Sequence, residues 1–275
     1  MSRPALEHST VVIVGGTTGL GFSAVRACVE AGAAVVAVGR DPANVAAVGA
    51  LGDRVRGIVL DARDPRSAEI AIDAAIESFG SFDALYHVAG GSGRRHGDGP
   101  IDEVSVGGVE FTLDLNLKSL IWSNRAAVRR FLARRSGGSI LNMASTLAWS
   151  PSPAHFATHV YAAAKAGVIG LSRSIASKYA ASDIRCNVIA PALFVTPMSR
   201  RAQDDADVMA YVATKQPLDG GRAGAPADAD AAVVFFLSDA SRFVTGQVLA
   251  VDGGWSVSEG QHASRGGSGE VSGER

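Results

Sequence analysis

Tyr161 and Lys165 stand four residues apart in the run YAAAK, so on a helix both side chains leave from one face. A phenol with its ordinary pKa near ~10 is only about one-thousandth ionised at neutral pH. A cation ~4 Å away, at an effective dielectric of ~20, favours the phenolate by about 4 kcal/mol, equivalent to about three pKa units before desolvation takes its share. Such a pair can move a proton to or from an oxygen atom. Upstream, the apolar run GGSILNMAS ends at Ser145, whose hydroxyl can donate to a carbonyl oxygen and hold it toward Tyr161.

These side chains need a scaffold, and the chain alternates short β-branched runs with longer alanine-rich amphipathic stretches. That pattern predicts a doubly wound α/β domain, a parallel sheet covered by helices on both faces. Seven strands are predicted: 11–14, 34–38, 55–60, 84–88, 139–143, 184–189 and 247–251, with helices over 20–31, 65–79, 109–135, 160–181 and 227–238. Directly after the first strand comes GGTTGLG, in which Gly15, Thr17, Thr18, Gly19, Leu20 and Gly21 lead into a helix. Glycines suit a tight turn at which a pyrophosphate approaches bare backbone N–H groups on a positive helix end. Asp61 and Ala62 close the third strand at the edge where an open sheet holds its ligands, so Asp61 can accept from an adenine amino group or cap the next helix.

In this order, the motifs resemble the short-chain dehydrogenase/reductase family, in its shorter single-domain branch. The likeness runs from about Thr10 to Trp255. It is carried by Gly15, Gly19 and Gly21; Asp61; Ala89-Gly90; Asn116 in DLNLKS; Ser145; Tyr161 and Lys165; NVIAP ending at Pro191; Thr196-Pro197-Met198; and VTGQVLAVDGG. The resemblance implies a Rossmann-like fold and hydride transfer between NADP(H) and a ketone or secondary alcohol. It makes Tyr161 the general acid in reduction and gives Lys165 the nicotinamide ribose. Ser145 then orients the carbonyl, and Asn116 holds a water that links Lys165 to solvent. Ala62, Ala89, Gly90, Pro191, Phe194 and Thr196 join the cofactor-binding set, and relatives pair their two long helices into a homotetramer or homodimer.

Departures from the family pattern are Val14 for threonine, Ala192 for glycine, and His87-Val88 for two asparagines, which removes a side-chain clasp between central strands. Cofactor choice rests on Gly39-Arg40. The family's NAD-preferring members place an aspartate where Gly39 stands. Here the acid is missing, Gly39 leaves room for a 2′-phosphate, and Arg40 offers a planar cationic fork for it, with Asp41 able to pair with Arg40 or cap a helix.

Residues 1–255 are read as one domain, with a lid at about 196–225 and a tail, 256–275, too polar to offset its ordering entropy. The net charge of −1 gives no footprint for nucleic acid or an anionic membrane. The two cysteines lack metal-ligand spacing, and the first ten residues lack the apolar stretch of a signal peptide, so a cytoplasmic location is expected. His155 and His159 are four apart but have no third ligand at sensible spacing, so no metal is expected. Arg94, Arg95 and His96 either meet an anionic substrate or form a solvated loop. An apolar set, Leu147, Trp149, Phe156, Leu193 and Phe194, suggests a partly hydrophobic, cyclic or 3-oxoacyl-type substrate. Three other readings are an NAD-dependent alcohol dehydrogenase of the same family, a nucleotide-sugar epimerase, which would need a longer C-terminal substrate domain, and a dinucleotide-binding regulator, which would lack Tyr161 or Lys165. No serine stands in the GxSxG elbow of a hydrolase.

Overall fold

The structure is a computed structural model that describes residues 5–260. Runs rich in valine and isoleucine form seven strands: β1 Thr10–Val14, β2 Ala34–Gly39, β3 Val55–Val59, β4 Ala84–His87, β5 Gly138–Met143, β6 Ile184–Pro191 and β7 Val248–Val251. Every pairing is parallel, in the order β3-β2-β1-β4-β5-β6-β7. Strand order reverses between β1 and β4, and in open sheets a ligand crevice lies outside the carboxyl ends at that point.

The chain alternates faces along each strand, so Val11 and Ile13 pack on one side of the sheet and Val12 and Val14 on the other. The first face is covered by α1 (Gly19–Glu30) and α9 (Asp230–Leu237), through Ala24, Val25, Cys28, Val233 and Phe236. The second is covered by α3 (Ser67–Phe79) and α5 (Ser119–Arg134), with Ala71, Ile72, Ala75, Ala127 and Phe131 in the core. Phe82 stacks on Phe131 at 4.8 Å between ring centroids. A left-handed Gly80 at φ +80 ends α3, since only glycine takes that turn without strain.

Two helical expectations are corrected. Residues 109–135 are not one helix but α4 (Val106–Leu113), a π-helical turn over Asp114–Lys118, and α5. A short α2 (Pro42–Gly49), unforeseen, follows β2; the Asp41 carboxylate accepts from Asn44 N at 2.9 Å and Pro42 pre-sets the first turn. The catalytic pair rides on α6 (His159–Tyr179).

The segment 196–225 holds α7 (Arg200–Gln203) and α8 (Ala206–Lys215), which close over a small apolar cluster of Leu193, Val208, Val212 and Trp255 with Leu147 and Phe156 against it. The chain just past Trp255 is tied down, whereas a disordered tail was expected from 256. Ser256 N donates to Asp252 Oδ2 at 2.8 Å and Thr214 Oγ1 to Gly260 O at 2.7 Å, while residues 261–275 lie outside the described residues.

Ile72 is 1% exposed, belongs to the core cluster under α3 and α5, and does not line the cleft. Ile72→Ala is expected to lower the unfolding free energy by about 2–5 kcal/mol, read from the urea midpoint, with kcat little changed below its melting temperature.

Candidate active site

The active-site side chains come from three elements that meet beyond the carboxyl ends of β4 and β5. Between Tyr161 and Lys165 the small, fully buried Ala164 lets α6 lie close to the sheet, and both flanking residues are buried, at 8% and 2% exposure. A buried ammonium needs an oxygen. Lys165 Nζ donates to Met143 O, the last carbonyl of β5, at 2.9 Å, and stands 5.6 Å from the centre of the Tyr161 ring. Two residues past Met143, the Ser145 hydroxyl accepts from Leu147 N at 3.2 Å and lies close enough to the Tyr161 phenol to favour its ionised form.

Burial pushes the Tyr161 phenol up to about 12, and the Ser145 hydroxyl offsets part of that rise. Burial and Ser145 are the two influences on this phenol in the free protein, and burial is the larger. Burial likewise brings Lys165 down to about 8, so it is still cationic at neutral pH.

Asn116 faces inward from the π-helical turn. Its Oδ1 accepts from Gly91 N at 3.0 Å, and its Nδ2 donates to Gly91 O and Thr112 O, both at 2.9 Å. A Cβ on Gly90 would lie 2.9 Å from Asn116 Oδ1 and 3.3 Å from Lys165 Nζ, so the two side chains converge over bare backbone. His87 is fully buried; Nδ1 lies 2.9 Å from Ser123 Oγ and Nε2 3.3 Å from Ser119 Oγ. Burial first, and Lys165 second, drive its pKa to about 3, so it is neutral. The clasp expected to be lost is thus replaced, with His87 tying β4 to α5. Next door, Asn142 donates to Asn124 Oδ1 at 2.9 Å and to Ser172 Oγ at 3.0 Å.

At the crossover between β1 and β4, a cleft is lined by Gly15, Thr17, Thr18, Gly19, Leu20 and Gly21, by Arg40, Asp61, Ala62, Ala89 and Gly90, and by Thr196. It fits a dinucleotide. The helix α1 begins without a side-chain cap at Thr18, which leaves its first amides for an anion. A Cβ on Gly21 would come 2.0 Å from Gly15 O, so the turn closes only on glycine. Pro191 ends β6, and Phe194 packs on Gly224; neither lines this cleft.

Two contacts bear on this cleft. A Cβ on Gly39 would lie 2.1 Å from Thr17 Oγ1, so Gly39, which also lines the cleft, makes room for Thr17. Asp61 is engaged by Arg63, whose Nη2 donates to Oδ2 at 2.7 Å and whose backbone N donates to Oδ1 at 3.0 Å. That pairing holds its carboxyl below the usual range, while Asp61 still lines the cleft. Arg40 is exposed at the rim and makes no hydrogen bond or ion pair with any described residue, since Asp41 is spent on capping α2.

Away from the cleft, His96 stacks on Phe111 at 3.5 Å, and His155 lies against Tyr211 at 4.9 Å. Among the described residues no group of three or more His, Cys, Asp or Glu is arranged to hold a metal, and no helix is long and apolar enough to cross a membrane. One buried residue went unread in the sequence: Asp98, whose carboxylate accepts from the Val160 and Tyr161 amides. Its partners lie more than sixty residues away, so no local pattern announces it.

Three comparisons bear on this geometry. A family model described as "Enoyl-(Acyl carrier protein) reductase" matches residues 14–256. The chain is 32% identical to 3beta-hydroxysteroid dehydrogenase 2 of Eggerthella lenta, over 93% of this chain and 97% of that protein. It is 35% identical to cis-4-hydroxycyclohexanecarboxylate dehydrogenase of Sinomonas cyclohexanicum, over 92% and 98%. Among solved structures, a short-chain type dehydrogenase/reductase from Mycobacterium ulcerans superposes with a TM-score of 0.84 at 31% identity, covering 92% of each chain. A parallel sheet with a nucleotide cleft beside a Ser-Tyr-Lys cluster defines a dinucleotide-dependent oxidoreductase. The chain belongs to the short-chain dehydrogenase/reductase family, whose dehydrogenases use NAD or NADP.

Burial of Lys165 has a consequence for stability. Its folded pKa, about 8, lies below the ordinary 10.5, so between these values the unfolded chain binds the proton more tightly. The deficit is full below pH 8 and disappears as pH rises through 10.5. Wild type is therefore expected to gain up to about 3 kcal/mol over Lys165→Met between those limits, read from paired urea unfolding curves at each pH.

Proposed function

We propose that this protein interconverts a cyclic, partly apolar secondary alcohol and its ketone, with NADP(H) preferred over NAD(H). The observation that carries this reading is the convergence of Ser145, Tyr161 and Lys165 at the end of β5, with Lys165 Nζ 5.6 Å from the Tyr161 ring centre, beside a cleft lined by the glycine turn. When bound, the nicotinamide supplies the hydride donor or acceptor. In reduction, Tyr161 gives its phenolic proton to the substrate oxygen, and in oxidation it takes the proton back. Ser145 donates to the same oxygen and sets its place. Lys165 keeps a positive charge behind the phenol and is held for the ribose, with Asn116 close enough across Gly90 to share a water with it.

Substrate class follows from Leu147, Phe156 and Leu193, which pack with Trp255 under the 196–225 segment, the proposed lid. The names of the hydroxysteroid and hydroxycyclohexanecarboxylate dehydrogenases point to ring-borne alcohols and support the same class. We also read the exposed small residues Ala163, Ala166 and Gly170 on α6 as the face of a homotetramer, since they allow close helix approach.

Nicotinamide absorbance with a panel of cyclic alcohols and ketones tests this reading. Tyr161→Phe is expected to abolish turnover while NADPH binding stays near wild type; retention of a tenth or more of kcat, roughly, would reject the acid–base role. Cofactor preference rests on the free guanidinium of Arg40 at the rim. Arg40→Ala is expected to weaken NADPH binding by about 1.5–3 kcal/mol and to leave NADH nearly unchanged, the range for a charged hydrogen-bond partner. Comparing kcat/KM for both cofactors in both proteins decides it, and equal or better use of NADH by wild type favours the NAD-dependent alternative.

A further inference from the structure

An α-helix leaves its first backbone N–H groups without intrahelical partners, and usually the residue before the helix supplies an acceptor. On α6, Thr158 holds that place but makes no side-chain cap. The amides are satisfied from the loop after β4 instead. His159 N donates to Gly99 O at 3.2 Å, Val160 N to Asp98 Oδ1 at 3.1 Å, and Tyr161 N to Asp98 Oδ2 at 3.0 Å. Asp98 is 3% exposed, and a buried carboxylate on a positive helix end is held by both charge and hydrogen bonds.

The loop that brings Asp98 there is shaped by its glycines. Asp98 N donates to Gly93 O at 3.1 Å, and Gly97 takes φ +95. A Cβ on Gly93 would lie 1.7 Å from Thr112 Oγ1, and one on Gly108 would lie 2.3 Å from the Gly97 carbonyl carbon. Only bare backbone lets the loop wedge against α4 and reach the start of α6.

We propose that Asp98 is a positioning residue for the reaction: it fixes the first turn of α6 and with it the direction of the Tyr161 phenol. This rests on the acid–base reading of Tyr161. The phenol must align with Ser145, which is carried by a different element, the chain after β5. Lys165, one turn further on, is anchored separately by the Met143 carbonyl. Loss of Asp98 therefore misaims the phenol while leaving Lys165, and the nucleotide it holds, in place. Displacements of about 1 Å in such a site cost on the order of a hundredfold in rate.

Asp98→Asn keeps the shape and one acceptor but sets an amide N–H against a backbone N–H, and Asp98→Ala removes both acceptors. Expected for Asp98→Asn is a kcat about tenfold to a hundredfold below wild type, with substrate KM and NADPH Kd little changed. Asp98→Ala falls lower still, and the destabilised Ile72→Ala keeps its kcat, which separates positioning from general loss of stability. If Asp98→Ala does not accumulate as folded protein, Asp98→Asn decides alone. Wild-type kcat in Asp98→Asn, or a fall in kcat matched by an equal rise in NADPH Kd, would overturn the proposal. A failure of the underlying reading looks different: Tyr161→Phe would then turn over as well as wild type.

Discussion

The structure is organised around a buried ammonium. Lys165 is 2% exposed, and a charge so far from water is tolerated only where oxygen lies within reach. Its partner is the last carbonyl of β5, which requires that strand to stop at Met143 and α6 to cross its end closely. The buried Ala164 permits that approach, and Gly90 opens the space on which Asn116 and the ammonium both border. The neutral His87 below follows first from its own burial and then from this charge, which would repel a second cation.

Two helix ends serve opposite purposes. At α1 the amides are left uncapped and face the cleft, where the glycine turn keeps side chains out of the way. At α6 the amides are closed off by Asp98 and Gly99, so the positive end cannot take a ligand and the first turn is held still. One end is thus available for phosphate and the other serves to aim a phenol.

The sheet was legible in the sequence because its strands, buried on both faces, read as short, nearly continuous valine-rich runs, and the strand bounds differ from expectation by one or two residues. Tyr161, Lys165 and Ser145 were legible because each lies in a local motif whose chemistry follows from spacing. The π-helical turn at Asp114–Lys118 was not, since hydrophobic periodicity barely registers one slipped hydrogen bond in a long helix. Nor were Asp98, the contact of Thr17 with Gly39, or the His87 tether to Ser123, which join residues distant along the chain. The direction of the Tyr161 shift was also hidden: sequence spacing gives the neighbouring charge, whereas burial, the larger effect here, exists only in the folded protein.

On the reading proposed above, Tyr161 is a desolvated phenol that becomes an acid–base group when a cationic nicotinamide joins Lys165 beside it. That reading is tested by titrating the ring-carbon NMR signal of Tyr161 in protein containing 13C-labelled tyrosine, assigned by its loss in Tyr161→Phe, with and without NADP+. The account predicts a midpoint near 12 in the free protein and a lower one with nucleotide bound, because added positive charge favours the phenolate. An unchanged midpoint on binding, or a free phenol that ionises below the ordinary 10, would contradict it.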